Sequence, residues 1–577
     1  MLRPQKPIPM NSSPYQFGSP RETVQAHLPD GRIVEGPRGD GVGGFLRLTS
    51  DETDPTVAAI VNDELHELTF PLDTDARVQP VTMSNADGAR IYRRSLTFLL
   101  EMAFSELFPH ARLTIDHSFS FGGYYCQVKN DQSLTPTHLA RLESRMFELV
   151  REDQPFERRE VPLDEAIAYL KSRGYDDKVH LLAHRRKPYL TLYSLGNLMD
   201  YHHGYMVPST GYLRWFAISP AEGGFTLRFP RRHNPTELEP LSDYPKLLAA
   251  FRQYGDWLAL LEIDNVGSLN DAIAGGRTHE LILVSEALHE QHIAELASQI
   301  SSRVDQARLI LIAGPTSSGK TTISRRLTIQ LLTHGFSPFP LELDNYFVDR
   351  DKTPPGADGK PDFEALEALN LDLLAAHLEA LIAGEEVQLP RYDFRSGSAR
   401  PGDVVRLRPE QLIILEGIHG LNPRLIPASI AGNAFRIYVS ALTQINLDRH
   451  NRVSTTDTRL LRRILRDERE RGYNAQQTIS RWESVRRGEK RHIFPYQENA
   501  DAMFNSALVY ELAVMKPLIE PLLRQVPFGT QEYIEAKRLL AFLDWFLPMD
   551  LDAVPRNSIV REFLGGSVLK EFRSWGS

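Results

Sequence analysis

From about Thr23 to Thr82, short apolar and polar alternations are broken by turns. The Asp-Gly of TVQAHLPDGRIVEG and the polar break in VAAIVNDELHELTFPL mark hairpins, so this stretch predicts a small β-rich module. Between Ile91 and Phe108 the apolar period lengthens to that of a helix. FSFGGYYCQV then predicts a strand, Pro136 to Arg151 a second helix, and a mixed region ends near Pro235. Residues 240 to 300 are mainly helical in pattern, and Leu288, His292, Leu296 and Ile300, spaced by four, are expected on one face. Beyond them strand and helix signals alternate: ARLILIAG, a helix over residues 320 to 333, FPLELD, a helix over 371 to 383, QLIILEG and FRIYVS. That alternation predicts an α/β fold with a parallel sheet covered on both faces. No internal repeat or low-complexity tract stands out.

Length changes the picture first. A chain of 577 residues exceeds what one hydrophobic core usually supports, so two to four domains are expected. A net charge of -9 gives no global attraction for nucleic acid or an anionic membrane. The single cysteine, Cys126, allows neither an intrachain disulfide nor a multi-cysteine zinc site, and reads as a small buried residue. The first 22 residues carry five prolines and no signal-peptide core, and predict a flexible tail. With no apolar stretch near membrane-spanning length, the expectation is a soluble cytoplasmic protein.

The candidate chemistry starts at LILIAGPTSSGKTTISRRL. Gly314, Gly319, Lys320 and Thr321 fit G-x-x-x-x-G-K-[ST] between a strand signal and a helix signal. In such a loop, residues Gly314, Pro315, Thr316, Ser317, Ser318, Gly319, Lys320, Thr321 and Thr322 cradle the phosphates of ATP, Lys320 reaches their oxygens, and the Thr321 hydroxyl ligates Mg²⁺. The loop alone does not separate motors, switches and kinases. The next strand ends in Asp344, a carboxylate suited to accept a proton from an attacking hydroxyl, or else to cap a turn. A later strand ends in Glu416, suited to hold Mg²⁺ through water, or else a surface acid. Arg459, Arg462, Arg463 and Arg466 share one face of a predicted helix. They would balance charge during phosphoryl transfer or, with the interleaved acids, form a solvated surface.

GPTSSGKTT, LDNYF, LPRYDF, ILEGIHG and DTRLLRRILRDERERG occur in the order seen in the uridine kinase and phosphoribulokinase family, which residues 305 to 515 resemble. The resemblance implies that Asp344 is the base for a nucleoside 5′-hydroxyl and Glu416 the Mg²⁺-site acid. It implies that Glu364 and Arg463 bind ribose hydroxyls, although the family usually has Asp where Glu364 stands. Tyr392 and Phe394 match the base pocket, and Arg466 and Arg471 match lid arginines. Two positions depart: Gly397 stands near a base-contacting His of pyrimidine kinases, and Tyr473 replaces a further lid arginine.

PFERREVPLDEAIAYLKSRGY and VPSTGYLR carry a second resemblance: the front half resembles threonyl-tRNA synthetase, which implies a β-grasp TGS-like module over residues 23–86 and an α+β editing-type domain over 87–237. A helical connector over 238–300, a kinase domain over 301–515 and a helical extension over 516–577 complete the expected order after the tail of residues 1–22. At the editing-type site, where the family has H-x-x-x-H and C-x-x-x-H, this chain has Arg94, Phe98, His202 and Met206. One ligand of four remains, no further ligand cluster is visible, and neither metal binding nor editing hydrolysis is expected. HRRKPY at 184 to 189 and RFPRRHN at 228 to 234 would form an RNA-facing patch or, more simply, solvated faces. The combined expectation is an ATP- and Mg²⁺-dependent nucleoside kinase acting on a small-molecule nucleoside, uridine- or cytidine-like. The alternatives are a kinase of another small alcohol or sugar phosphate, and a nucleotide-switched, RNA-associated regulatory protein. Oligomeric state is not readable.

Overall fold

The computed structural model describes residues 19, 21–129, 134–242, 244–304, 307–356, 359, 361–393, 396–408, 411–443 and 445–572. Phe394 and nearly all of the expected tail lie outside the described residues. Near the amino terminus, a five-stranded mixed sheet runs in the order Ile33–Pro37, Thr23–His27, Ala76–Thr82, Thr56–Val61, Glu64–Glu67. The strands Thr23–His27 and Ala76–Thr82 pair in parallel and the rest are antiparallel, the β-grasp arrangement.

The 22-residue helix Ala86–Leu107 follows, buried around most of its circumference by the sheets and helices packed on it. FSFGGYYCQV is not one strand. It holds the end of Arg112–Phe119, a tight turn with Gly122 at φ +96°, and the start of Gly123–Lys129. These pair within a four-stranded antiparallel sheet, and Cys126 is wholly buried there.

Three helices, Pro245–Leu260, Val266–Ala274 and Thr278–Ser301, lead to the last sheet. The buried stripe of the third runs through Ile282, His289, Ile293, Leu296 and Ile300, so the expected face is displaced and Leu288 and His292 lie at its edge. A strict spacing of four advances 400° against a turn of 360°, which carries such a row off any fixed face within three steps.

The last sheet is fully parallel, in the order Phe339–Glu342, Ile413–Glu416, Leu309–Ala313, Ala434–Ser440, Ala502–Asn505. Leu309–Ala313 is central and completely buried, as a strand covered on both faces requires. The helices Lys320–Thr333 and Leu371–Ala383 fall where the pattern put them. The edge strand Ala502–Asn505 and the hairpin Glu386–Asp393 with Ser398–Arg406 were not anticipated. No helix among the described residues is long and apolar enough to cross a membrane.

Candidate phosphate-transfer site

Register brings the chemistry together. Ile312 and Glu342 both pair with Glu416, so the central strand and its two neighbours end level, and the segments leaving their carboxyl ends line one cleft. The loop after Leu309–Ala313 is forced into shape by its glycines. A Cβ at Gly314 would lie 1.9 Å from the Val439 carbonyl oxygen, and Gly319 has φ +88° with Ile559 2.5 Å from its Cβ position. Ser317, also left-handed at φ 57°, and Ser318 have buried hydroxyls without hydrogen-bond partners among the described residues. Lys320 Nζ donates to the loop carbonyls of Gly314, at 3.0 Å, and Pro315, at 3.3 Å, and meets no carboxylate among the described residues. Orphaned hydroxyls and a cation held only by carbonyls form a cradle that fits a phosphate chain.

Thr321 donates its hydroxyl to Glu416 at 2.8 Å, so the two expected Mg²⁺ contacts adjoin. Burial pushes the Glu416 carboxyl up to about 7 against the pull of Lys320 and Thr321. Thr322 is taken differently: its hydroxyl donates to Glu562 at 2.7 Å, a carboxylate from the far C-terminal segment that sequence reasoning missed.

Asp344 lies in a 3-10 turn just after Phe339–Glu342, and its carboxylate neither caps that turn nor makes a hydrogen bond among the described residues. It opens to the cleft, yet surrounding protein raises its pKa, opposed by Lys320, Arg471 and Arg466. The next residue, Asn345, accepts the backbone N–H of Tyr392 at 3.3 Å, which ties the hairpin to the base candidate. Tyr392 is buried with its ring 5.6 Å from that of Phe347. Gly397 has φ +72°, and Arg350 fills the space a side chain there would need, with Nε 2.8 Å from the Cβ position.

The arginine helix Thr455–Arg471 is no solvated surface. Arg459 and Arg462 are fully buried, ion-paired to Glu489 and Glu511, and they donate to the backbone carbonyls of Thr316 and Ser317. Arg463 and Arg466 both reach the Thr316 hydroxyl, at 3.3 and 3.4 Å. The face therefore divides into two arginines that brace the phosphate loop and two that border the cleft. Arg471 is half exposed and pairs with Asp467 at 3.0 Å, while Tyr473 stacks under Arg481 at 4.0 Å.

Glu364 packs its stem on Gly488, where a Cβ would come within 2.5 Å. Burial, with Glu489 adding, pushes its carboxyl up to about 7 despite Arg463 and Lys320. Because the folded-state pKa is raised, this group's stabilising contribution is full below the unfolded value and is lost as pH rises through about 7. Glu364→Gln should thus raise Tm at pH 8.5 and leave it nearly unchanged at pH 5, as calorimetry would read.

At the four positions matched above to the synthetase site, Arg94 donates to the Tyr205 carbonyl at 2.6 Å, Phe98 and His202 rings lie 5.0 Å apart, and Met206 is buried. Here the structure corrects one expectation. Glu101, Asp200 and His202 offer ligand-type atoms all within 4.8 Å, with His450 Nδ1 3.1 Å from Asp200. Asp200 and His202 are two residues apart, but Glu101 and His450 come from distant segments, which hid the cluster. Lys178 already places its ammonium 2.6 Å from Asp200 and 3.2 Å from Asp448, supplying the charge a cation would bring. Metal analysis of the purified protein should find zinc well below one equivalent.

Residues 309–513 match the model of the phosphoribulokinase / uridine kinase family. The N-terminal region is similar to threonine–tRNA ligases. That of Laribacter hongkongensis is 38% identical over 170 residues, covering 29% of this chain and 27% of that protein. The chain spans about a quarter to a third of the length of the curated relatives it matches. Among solved structures, a possible uridine kinase from Bacillus stearothermophilus is 18% identical, with TM-score 0.24 over 36% of this chain and 100% of that one. D-glycerate 3-kinase from Cryptococcus neoformans is 16% identical, with TM-score 0.20 over 48% and 87% of the two chains. The matched segment contains the phosphate loop, Asp344, Glu416 and the arginine helix, and it is a P-loop kinase domain of the phosphoribulokinase and uridine kinase family.

Proposed function

We propose that the protein is an ATP- and Mg²⁺-dependent nucleoside kinase that phosphorylates a nucleoside 5′-hydroxyl. The observation that carries this reading is Asp344: a cleft-facing carboxylate that makes no hydrogen bond among the described residues, close enough to Lys320, Arg466 and Arg471 to feel their charge. ATP would supply the transferable phosphoryl group and Mg²⁺ would screen its oxygens. Within the chain, Lys320 and the loop N–H groups bind the phosphate tail, and Thr321 and Glu416 hold the ion. Asp344 orients the acceptor hydroxyl and takes its proton, while Arg466 and Arg471 balance negative charge and exclude water. Glu364 and Arg463 offer an acceptor and a donor to vicinal sugar hydroxyls, and Tyr392 with the hairpin bounds the base.

A second reading, a kinase of a phosphorylated or other small alcohol, is favoured by Arg350, which lays a guanidinium over Gly397 beside Tyr392. A transfer assay over the common nucleosides, sugar phosphates and glycerate distinguishes them. The nucleoside reading expects its highest kcat/KM with a pyrimidine nucleoside; turnover of only a non-nucleoside alcohol sinks it.

A further inference from the structure

A cavity of about 610 Å³ lies away from the phosphate-transfer cleft, and neither Lys320, Asp344, Glu364 nor Glu416 lines it. Its walls come from both halves of the chain. They are the helix Ala86–Leu107, the segment after the strand Gly224–Arg228, the residues just before Thr455, and the helix Ala475–His492. Ten arginine and lysine side chains line it against four carboxylates, in a protein whose net charge is -9. Random surface composition would tilt the other way.

Some of these cations are spent on partners: Arg90 and Arg538 pair with Glu535, and Arg232 with Glu483 at 2.8 Å. Four are not. Arg93 and Arg452 lie over the rings of Phe229 and Tyr124, at 5.6 and 4.9 Å, and donate only to backbone carbonyls. Arg231 and Lys490 make no side-chain hydrogen bond or ion pair among the described residues. The RFPRRHN segment is therefore no ordinary solvated face, since Arg231 and Arg232 turn into this chamber. Gathering like charges without counter-ions costs free energy in the free protein, and an anion bound among them would recover it. Consistent with that, burial and the neighbouring Arg231, Arg486 and Arg232 push Lys490 down to about 8.

We infer that this interdomain chamber binds a polyphosphate group, carried by a nucleotide or as an inorganic polyphosphate, at a site separate from the phosphate loop. Its size suits such a ligand, and guanidinium groups seated on aromatic rings are held ready for phosphate oxygens. The chamber stands one ion pair from the loop. Arg486 lines it and donates at 3.0 Å to Glu489, whose other oxygen accepts the Thr316 N–H at 3.2 Å.

The test is calorimetric titration of the full chain carrying Lys320→Ala, which weakens the phosphate loop, with inorganic triphosphate and separately with UTP and GTP. The expected result is one equivalent bound, with Kd raised at least tenfold when Arg231→Gln and Lys490→Gln are added. Equal affinity for triphosphate and nucleotides assigns the site to the phosphate chain alone; tighter nucleotide binding adds contacts to the nucleoside. Both support the inference. Because Arg231 and Lys490 repel their neighbours, the added substitutions should leave Tm unchanged or higher without ligand. No binding, binding indifferent to the two substitutions, a lowered Tm, or capture of transfer RNA alone would overturn it.

Discussion

Asp344→Asn should leave the ATP dissociation constant within about twofold of wild type and lower kcat by about 10²–10⁴-fold. The amide keeps the size and the position at the end of Phe339–Glu342 and removes only the proton acceptor. The carboxylate makes no hydrogen bond among the described residues and is exposed to the cleft, so the variant should melt close to the wild-type temperature. Rapid-quench kinetics with a parallel nucleotide-binding titration separates the two effects. Normal turnover would mean that another group takes the proton.

Lys320→Ala should act on binding and chemistry together. Among the described residues the ammonium has no carboxylate partner, only the carbonyls of Gly314 and Pro315, so its release on phosphate binding breaks little. Loss of a preorganised cation at a site of developing charge typically costs about 10²–10³-fold in rate, and the affinity for ATP should fall as well. The loop itself should persist, because Arg459, Arg462 and Glu489 brace it independently of the lysine. Unchanged circular dichroism and Tm, with kcat/KM reduced far more than for a surface lysine such as Lys187, is the expected pattern.

The phosphate loop, Asp344 and Glu416 could be read from the sequence because each is fixed by local spacing: a glycine-flanked turn between strand and helix, and acids at the ends of apolar runs. The shared face of Arg459, Arg462, Arg463 and Arg466 was equally legible, since helical periodicity is local. How that face divides was not. Glu489 and Glu511, which turn two of the four into braces, lie 30 and 49 residues from their arginines, and no periodicity links them. Glu562, 240 residues from Thr322, is further beyond reach.

The cluster around His202 and the basic chamber were hidden for the same reason. Both are assembled where His450, Arg452 and the helix Ala475–His492 meet the front half. One local signal was available: the Gly488-Glu489 pair, whose glycine admits Glu364 and whose glutamate holds Thr316, stands inside an otherwise polar helix where a glycine is costly without a packing reason.

The most direct test of the kinase reading follows γ-labelled ATP with Mg²⁺ and the full chain, offering uridine or cytidine and, in parallel, the corresponding 5′-deoxynucleoside. Label recovered as nucleoside 5′-monophosphate, none with the 5′-deoxy analogue and almost none with Lys320→Ala, is the predicted result. Label released only as inorganic phosphate, equally with and without nucleoside, would contradict it.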